Sequence, residues 1–152
     1  MEITIVDSAF MGHSFSASLG DENVHEAPEF IRWIPEPIPN KPIFFTDGQI
    51  KTVPKFGRSG HNVAWLLEPH GLRPDAYHDA LEFEEYFGTV LTFDHRYLHR
   101  EKWRFYPFGG SWIHLQNWGL REKTRIVSIL ASQKNTTEGH KLRHAVRYRY
   151  LD

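Results

Sequence analysis

The stretch NVAWLLEPHGLRPDAYHDALEFEEYFGTVLTF, residues 62–93, decides the fold class. It opens on a continuous apolar run, which is typical of a parallel strand that is buried on both faces. The next part, 73–88, has Pro74 in its first turn, acidic residues early and apolar residues at helical spacing, so it predicts a helix with Gly88 as its C-terminal cap. A second strand, 89–93, follows. This order predicts a right-handed crossover between parallel strands.

The segments before this unit indicate further β-structure. Residues 2–6 predict a first strand, and EFIRWIPEPIPNKP, 29–42, holds four prolines that exclude a helix and favour an extended path at a sheet edge. In IFFTDGQIKTV, 43–53, two β-prone runs flank Asp47-Gly48, a pair that suits a two-residue turn. We therefore expect a β-hairpin at this position.

The segments after the unit predict a short helix, a loop and a final strand and helix. Asp94 is expected to cap a helix over 94–101, and the aromatic, glycine-bearing residues 103–119 are expected to form a loop. RIVSILASQKNTTEGHKLRHAVRYRYLD, 125–152, begins as a strand and ends as a basic helix, with Asn135 as its cap and Glu138 completing a capping box. The prediction is an α/β fold, a Rossmann-like three-layer domain with a mainly parallel sheet and one hairpin.

Composition and charge exclude several classes of protein. The chain has 152 residues, a net charge of −1 and no cysteine, so neither a field that attracts nucleic acid nor a disulfide framework is expected. The apolar start of the chain is too short for a signal peptide, and no run approaches the roughly 20 apolar residues of a membrane span. A soluble, cytoplasmic protein is the expectation.

Glu68 is the candidate catalytic residue. It lies where a predicted strand ends, beside Trp65, and a carboxylate next to an apolar ring has its pKa raised and can act as a base. The alternative is an ordinary acid at a strand end, in water or capping a neighbouring backbone.

Lys134 and Arg143 are candidate phosphate ligands. They flank the start of a helix that follows a predicted parallel strand, where free N–H groups and the helix dipole favour an anion. The segment matches neither a P-loop nor a GxGxxG turn, so a solvated helix with incidental cations is the alternative.

Histidines and aromatic residues give weaker signals. His95 and His99 have the i, i+4 spacing that can hold zinc, but HExxH is missing and no third ligand is marked, so no metal site is expected. Trp112 and its aromatic neighbours either stack on a sugar or base, as Trp65 also could, or close a core beneath the loop.

A resemblance to a known family rests on five segments: IFFTDGQI, NVAWLLEP, VLTFD, FYPFGGSWI and SILASQKNTTEGHKLRH. In this order they resemble the α-1,3-fucosyltransferase-like proteins of glycosyltransferase family 10 from marine phages and bacteria, over roughly residues 43–147. The resemblance implies a GT-B fold, in which the N-terminal domain takes the acceptor sugar and the C-terminal domain binds GDP-fucose. Glu68 would then be the general base, and Lys134 and Arg143 would contact the donor diphosphate.

One departure from the family concerns these phosphate contacts. Classical members carry Ser-Asn after this strand and a basic residue earlier on the helix. Here Gln133 follows Ser132, and Arg143 comes later.

The resemblance also implies a domain division and partners. Residues 1–123 would form the acceptor-side domain, and 124–152 the first strand-helix unit of a missing donor domain, or else the final unit of a single domain. The partners would be a glycan acceptor and a nucleotide-sugar donor, with no cofactor and with this fragment inactive. A non-catalytic carbohydrate- or nucleotide-binding α/β module is the alternative. Apolar residues over 126–150 would lack partners, so the strand would either add to the edge of the N-terminal sheet or pair with a second copy of the chain. We expect the second, a homodimer through this segment.

Overall fold

A computed structural model describes residues 1–7, 30–38, 40–107, 119–124 and 132–150 of the chain. The chain divides into two compact units, Met1–Gln116 and Asn117–Asp152. Whether the second unit belongs to a further domain stays a prediction.

The first unit is built on a six-stranded sheet in which every neighbouring pair of strands is parallel. The strands are β1 (Glu2–Val6), β2 (Arg32–Ile34), β3 (Ile43–Thr46), β4 (Asn62–Trp65), β5 (Thr89–Thr92) and β6 (Trp103–Phe105). Their order in the sheet is β2-β1-β3-β4-β5-β6. The prediction of an α/β, Rossmann-like fold with a parallel sheet is therefore confirmed. The strand order reverses between β1 and β3, which makes this the switch point of the sheet.

In the described residues of this unit, one helix and three 3-10 segments connect the strands. Helix α1 (Pro74–Glu82) begins at the proline, whose fixed φ suits the first helical turn and whose missing N–H is not needed there. The 3-10 segments are Asp47–Phe56, Glu84–Tyr86 and His95–Tyr97.

The main cluster of the core lies on one face of the sheet. Phe45, Ala64, Val90 and Trp103 are neighbours across β3 to β6, and all four are buried. Tyr77 of α1, also buried, belongs to the same cluster. Burial of each large apolar side chain stabilises the fold by about 1.5–3 kcal/mol, so this cluster holds the parallel strands together.

An aromatic row lies on the opposite face of the sheet. It consists of Trp33, Phe44, Trp65 and Tyr106. Phe44 and Trp65 meet edge to face with ring centroids 6.0 Å apart, and the rings of Trp33 and Trp65 stack at 6.1 Å. Tyr106 contacts Trp65 at 5.5 Å. Three of these side chains are half-buried and Tyr106 is exposed, so the row is only partly covered.

The predicted hairpin at Asp47-Gly48 is wrong. β3 pairs with β1 on one side and β4 on the other, both parallel, and Asp47 begins a 3-10 segment instead of a return strand. The second run of the supposed hairpin also meets Pro54, which cannot donate to a ladder. With both edges of β3 already occupied, the chain has to leave the sheet here.

Two other boundaries differ from the predictions. The helix ends at Glu82, and Gly88 leads into β5, where its N–H donates to the Asn62 carbonyl oxygen at 2.9 Å. The expectation of a loop at the start of 103–119 is also wrong, because Trp103–Phe105 forms the edge strand β6. The stretch 103–119 resembles a loop because it is aromatic and contains glycines. Its first three residues nevertheless form a strand, which begins at the buried Trp103.

The second unit contains helix α2 (Glu138–Tyr150). The predicted cap, Asn135, is wrong. Thr137 Oγ1 accepts the N–H of His140 at 3.3 Å, and His140 Nδ1 accepts the N–H of Thr137 at 3.3 Å. This is a capping box in which a histidine takes the place of the usual Glu or Gln. The strand predicted before this helix, over 125–131, lies outside the described residues.

No helix in the described ranges is long and apolar enough to cross a membrane.

Candidate functional site at the carboxyl edge of the sheet

Acidic side chains follow five of the six strands. Asp7 and Asp47 come directly after β1 and β3, and Glu36, Glu68 and Asp94 follow β2, β4 and β5 within three residues. Because all the strands are parallel, these residues lie at the same edge of the sheet. Ligand sites of open α/β sheets gather at this carboxyl edge, so it is the candidate site.

A hydrogen bond crosses the switch point of the sheet. The hydroxyl of Thr46, the last residue of β3, donates to the carboxylate of Asp7 at the end of β1. Thr46 is buried. This contact ties together the two strands between which the strand order reverses.

Asp47 connects the ends of β3 and β4. Its Oδ1 accepts the N–H of Leu67 at 2.9 Å and that of Glu68 at 3.3 Å, the amides that leave β4. Its φ of +32° is unusual for a residue other than glycine, and such strain costs about 1–3 kcal/mol and is commonest at functional sites.

The charge environment of Asp47 is mixed. Burial raises the pKa of its carboxyl, and the Glu68 charge adds to that effect. The two backbone hydrogen bonds and the Arg73 charge act in the opposite direction without cancelling the rise. Asp47 is therefore a half-buried acid that holds a proton at higher pH than an exposed aspartate does.

Arg73 lies over the backbone next to Asp47. Its guanidinium forms a two-pronged contact with Asp75, from Nε to Oδ1 at 3.0 Å and from Nη2 to Oδ2 at 2.7 Å, and this contact lowers the pKa of Asp75. A Cβ at Gly48 would lie 2.7 Å from Arg73 Nη2. Glycine at this position thus leaves room for the guanidinium, which interacts electrostatically with Asp47 and Glu68.

Glu68 lies within this arrangement, as its position after β4 predicted. The residue is half-buried, and its backbone is held by Asp47. Its carboxylate forms no hydrogen bond with another residue of the described part of the chain.

A second polar group lies at the end of β5. The Tyr77 hydroxyl and Thr92 Oγ1 are 3.4 Å apart, and the Tyr77 ring contacts the His70 ring at 5.2 Å. Burial raises the pKa of Tyr77. The role of Asp94 as a cap is confirmed, since its Oδ1 accepts the N–H of Arg96 at 3.1 Å. Its ion pair with Arg96 lowers its pKa.

The premise of the zinc alternative is wrong. His95–Tyr97 is a 3-10 turn, which does not place residues four apart on one face as an α-helix does. His95 stacks on Phe105 at 5.1 Å, and His99 Nδ1 lies 3.0 Å from the Arg96 carbonyl oxygen. A different group of ligand-type residues, His78, Asp79 and Glu82, comes together on the exposed side of α1.

Trp65, a sugar-stacking candidate, belongs to the aromatic row. Its ring already contacts three others, so stacking on a sugar would use only the uncovered part of its surface. The other candidate, Trp112, lies outside the described residues.

Lys134 and Arg143 belong to the second unit. Lys134 is exposed, and its carbonyl oxygen lies 3.0 Å from Nε2 of His144, which folds the preceding loop back along α2. Nε and Nη2 of Arg143 are shielded from solvent without a hydrogen-bond partner in the described ranges. A shielded guanidinium without a partner is costly, and an anionic ligand would remove that cost.

A cavity of about 290 Å³ lies where β3 and β4 begin, at the amino ends of the strands. It is lined by Ile38, Ile43, Phe56 and Asn62 among other residues. The acidic residues that follow the strands lie at the other end of the sheet. The carboxyl edge therefore remains the candidate site.

Asp47 is the site residue that the sequence interpretation missed. The pair Asp47-Gly48 was assigned to a hairpin turn because it is a frequent turn pair. Its place directly after a β-prone run, like that of Glu68, is the signal that would have included it in the site.

Comparisons of this chain with protein-family models, with curated proteins and with solved structures give no match. The geometry of the carboxyl edge is therefore the main support for a function.

Proposed function

We propose that the first unit is the acceptor-side domain of a glycosyltransferase, in which Glu68 is the general base. The acceptor hydroxyl oxygen attacks the anomeric carbon of the donor sugar, and its proton passes to the Glu68 carboxylate. The bond between that carbon and the diphosphate oxygen breaks, and the nucleoside diphosphate leaves. The sugar and the nucleotide, fucose and GDP, come from the resemblance to family 10.

One observation carries this proposal. Glu68 lies at the carboxyl edge, where open α/β sheets bind ligands, with its backbone held by Asp47 and its side chain half-buried. A general base needs a fixed position and an oxygen that can accept the proton, and the backbone contact with Asp47 supports Glu68 in this role.

Lys134 and Arg143 have a second role in the proposal. Their positive charges would offset the charge that develops on the leaving diphosphate. The shielded, unpartnered guanidinium atoms of Arg143 in the described ranges support this role. The proposal also keeps the cytoplasmic location that the absence of cysteine favours.

A non-catalytic carbohydrate-binding module is the second candidate. The partly covered aromatic row on the sheet favours it, because aromatic rings combine apolar surface with a polar edge and are frequent at binding surfaces. In this case the acids of the carboxyl edge would have only structural roles.

A transfer assay tests the proposal. Because the proposal gives this chain the acceptor side alone, the chain is first extended by a donor domain. It is then incubated with GDP-fucose and a panel of glycans, and the products are identified by mass spectrometry. Glu68→Gln should reduce transfer by about 100-fold or more, since it removes a base but keeps the shape of the side chain. Glu82→Gln, at an exposed glutamate of α1, is the matched control and should leave transfer unchanged.

Other outcomes separate the two candidates. If Glu68→Gln transfers the sugar as fast as the parent protein, Glu68 is not the general base. Saturable glycan binding that needs no donor and is lost in Trp65→Ala, without any transfer, favours the binding module.

A further inference from the structure

We propose that Asp47 is a positioning residue, whose carboxylate holds Glu68 in place by accepting the N–H groups of Leu67 and Glu68. The inference that this holding serves sugar transfer rests on the proposed function. The positioning of Glu68 by these hydrogen bonds does not rest on the proposed function.

The geometry of the contact supports a positioning role. A single oxygen of Asp47 accepts two successive amides, and those amides belong to the first residues after the turn away from β4. Without this acceptor both N–H groups would lack their partner. The backbone that carries Glu68 would then be free to rotate, because the chain at this point has left the ladder of the sheet.

The backbone of Asp47 points to the same role. A residue other than glycine at φ +32° persists only where the surrounding structure enforces it. Here the strained residue is the one that bridges two strand ends at the candidate site. If residue 47 served only to end β3, glycine would be sufficient there, as it is at position 48.

Charged groups surround Asp47 from several elements. Glu68 approaches it from the end of β4 and Arg73 from the segment before α1, where Arg73 is itself paired with Asp75. The Asp7 carboxylate accepts a hydrogen bond from the hydroxyl of Thr46, the residue before Asp47. Protonation of Asp47 removes one negative charge from this group and weakens the acceptor of both amides. Glu68 is therefore expected to loosen as the pH falls through the titration of Asp47.

Amide signals give a readout that does not depend on activity. In uniformly ¹⁵N-labelled protein the N–H signals of Leu67 and Glu68 are followed from about pH 8 to about pH 3, a range that spans the titration of aspartates in proteins. The Leu67 signal should move in one transition, which should disappear in Asp47→Asn and remain in Glu68→Gln. A Leu67 transition that persists in Asp47→Asn, or that vanishes in Glu68→Gln, overturns the proposal.

Transfer activity, measured in the chain extended by a donor domain, adds the functional readout. Asp47→Ala is expected to lower transfer by about 100-fold, the loss typical of a misplaced catalytic group, and Asp47→Asn should recover part of it because its amide oxygen can still accept. If the amide transition behaves as expected but no glycan is modified, the holding stands and the proposed function fails. Equal loss in both variants rejects hydrogen-bond positioning.

A urea unfolding experiment separates a loss of stability from a loss of positioning. Because burial raises the pKa of Asp47 in the folded state, its contribution to stability is fully present below the unfolded-state pKa and is lost as the pH rises through the folded-state value. At neutral pH, Asp47→Asn is thus expected to unfold at no lower urea concentration than the parent protein. A lower urea midpoint for Asp47→Asn would contradict the raised pKa of Asp47.

Discussion

Gly88→Ala tests the closest backbone approach in the first unit. A Cβ at Gly88 would lie 2.0 Å from the carbonyl oxygen of Gly60, 2.6 Å from its carbonyl carbon and 2.9 Å from its Cα. All three are backbone atoms, and real Cβ contacts essentially never fall below 3.0 Å. The two segments must therefore separate by about 1 Å, against the hydrogen bond from Gly88 to Asn62 at the start of β4.

The expected cost is near the upper end for overpacking, about 3 kcal/mol, because no flexible side chain can move aside. Urea unfolding followed by tryptophan fluorescence, to which the buried Trp103 contributes, measures this cost. With a slope of about 2 kcal/mol per molar urea, the midpoint should fall by about 1.5 M.

Gly60→Ala is the matched control. A Cβ at Gly60 meets nothing within 4 Å, although this residue is the other member of the same contact. Both variants lose the same glycine freedom in the unfolded chain, which is worth about 0.4–1 kcal/mol in favour of alanine. Gly60→Ala should therefore be neutral or slightly stabilising. A loss of less than about 1 kcal/mol for Gly88→Ala relative to this control would refute the reasoning.

Three further predictions concern the edge strand, helix α2 and the assembly of the chain. Glu84→Gln should lower the free energy of unfolding by about 1 kcal/mol, measured by urea unfolding, because the Glu84 carboxylate accepts the indole N–H of Trp103 at 3.2 Å and forms a half-exposed ion pair. An unchanged midpoint would mean that this ion pair adds no net stability. Thr137→Ala should reduce the amide protection of the first turn of α2 by about 1 kcal/mol in hydrogen exchange, since it removes the acceptor for the N–H of His140; unchanged protection would reject Thr137 as the cap. Light scattering should find a dimer for the whole chain and a monomer for a version that ends at Lys123, and a monomer in both cases would reject the predicted dimer.

The sequence alone determined the strand-helix-strand unit over 62–93 and, with it, the parallel α/β class. Its signals are local: an apolar run, Pro74 at the start of a helix, and apolar residues at helical spacing. The same kind of signal identified β1 and the cap formed by Asp94. It also placed Glu68 correctly, because the end of an apolar run in a parallel sheet is a carboxyl edge.

Only the tertiary structure decided the strand order, the fate of Asp47-Gly48 and the formation of β6. The pair Asp47-Gly48 is compatible with a hairpin as a local sequence, and the outcome depended on β1 and β4 occupying both edges of β3. Trp103 begins a strand because β5 offers it an open edge, which no local pattern reveals. The contact of Asp47 with the amides after β4 joins residues 20 and 21 positions apart, so it follows from the register of two strands. Hydrophobic periodicity specifies which face of an element is buried, whereas the partner of each edge is set by the competition among all strands for pairing.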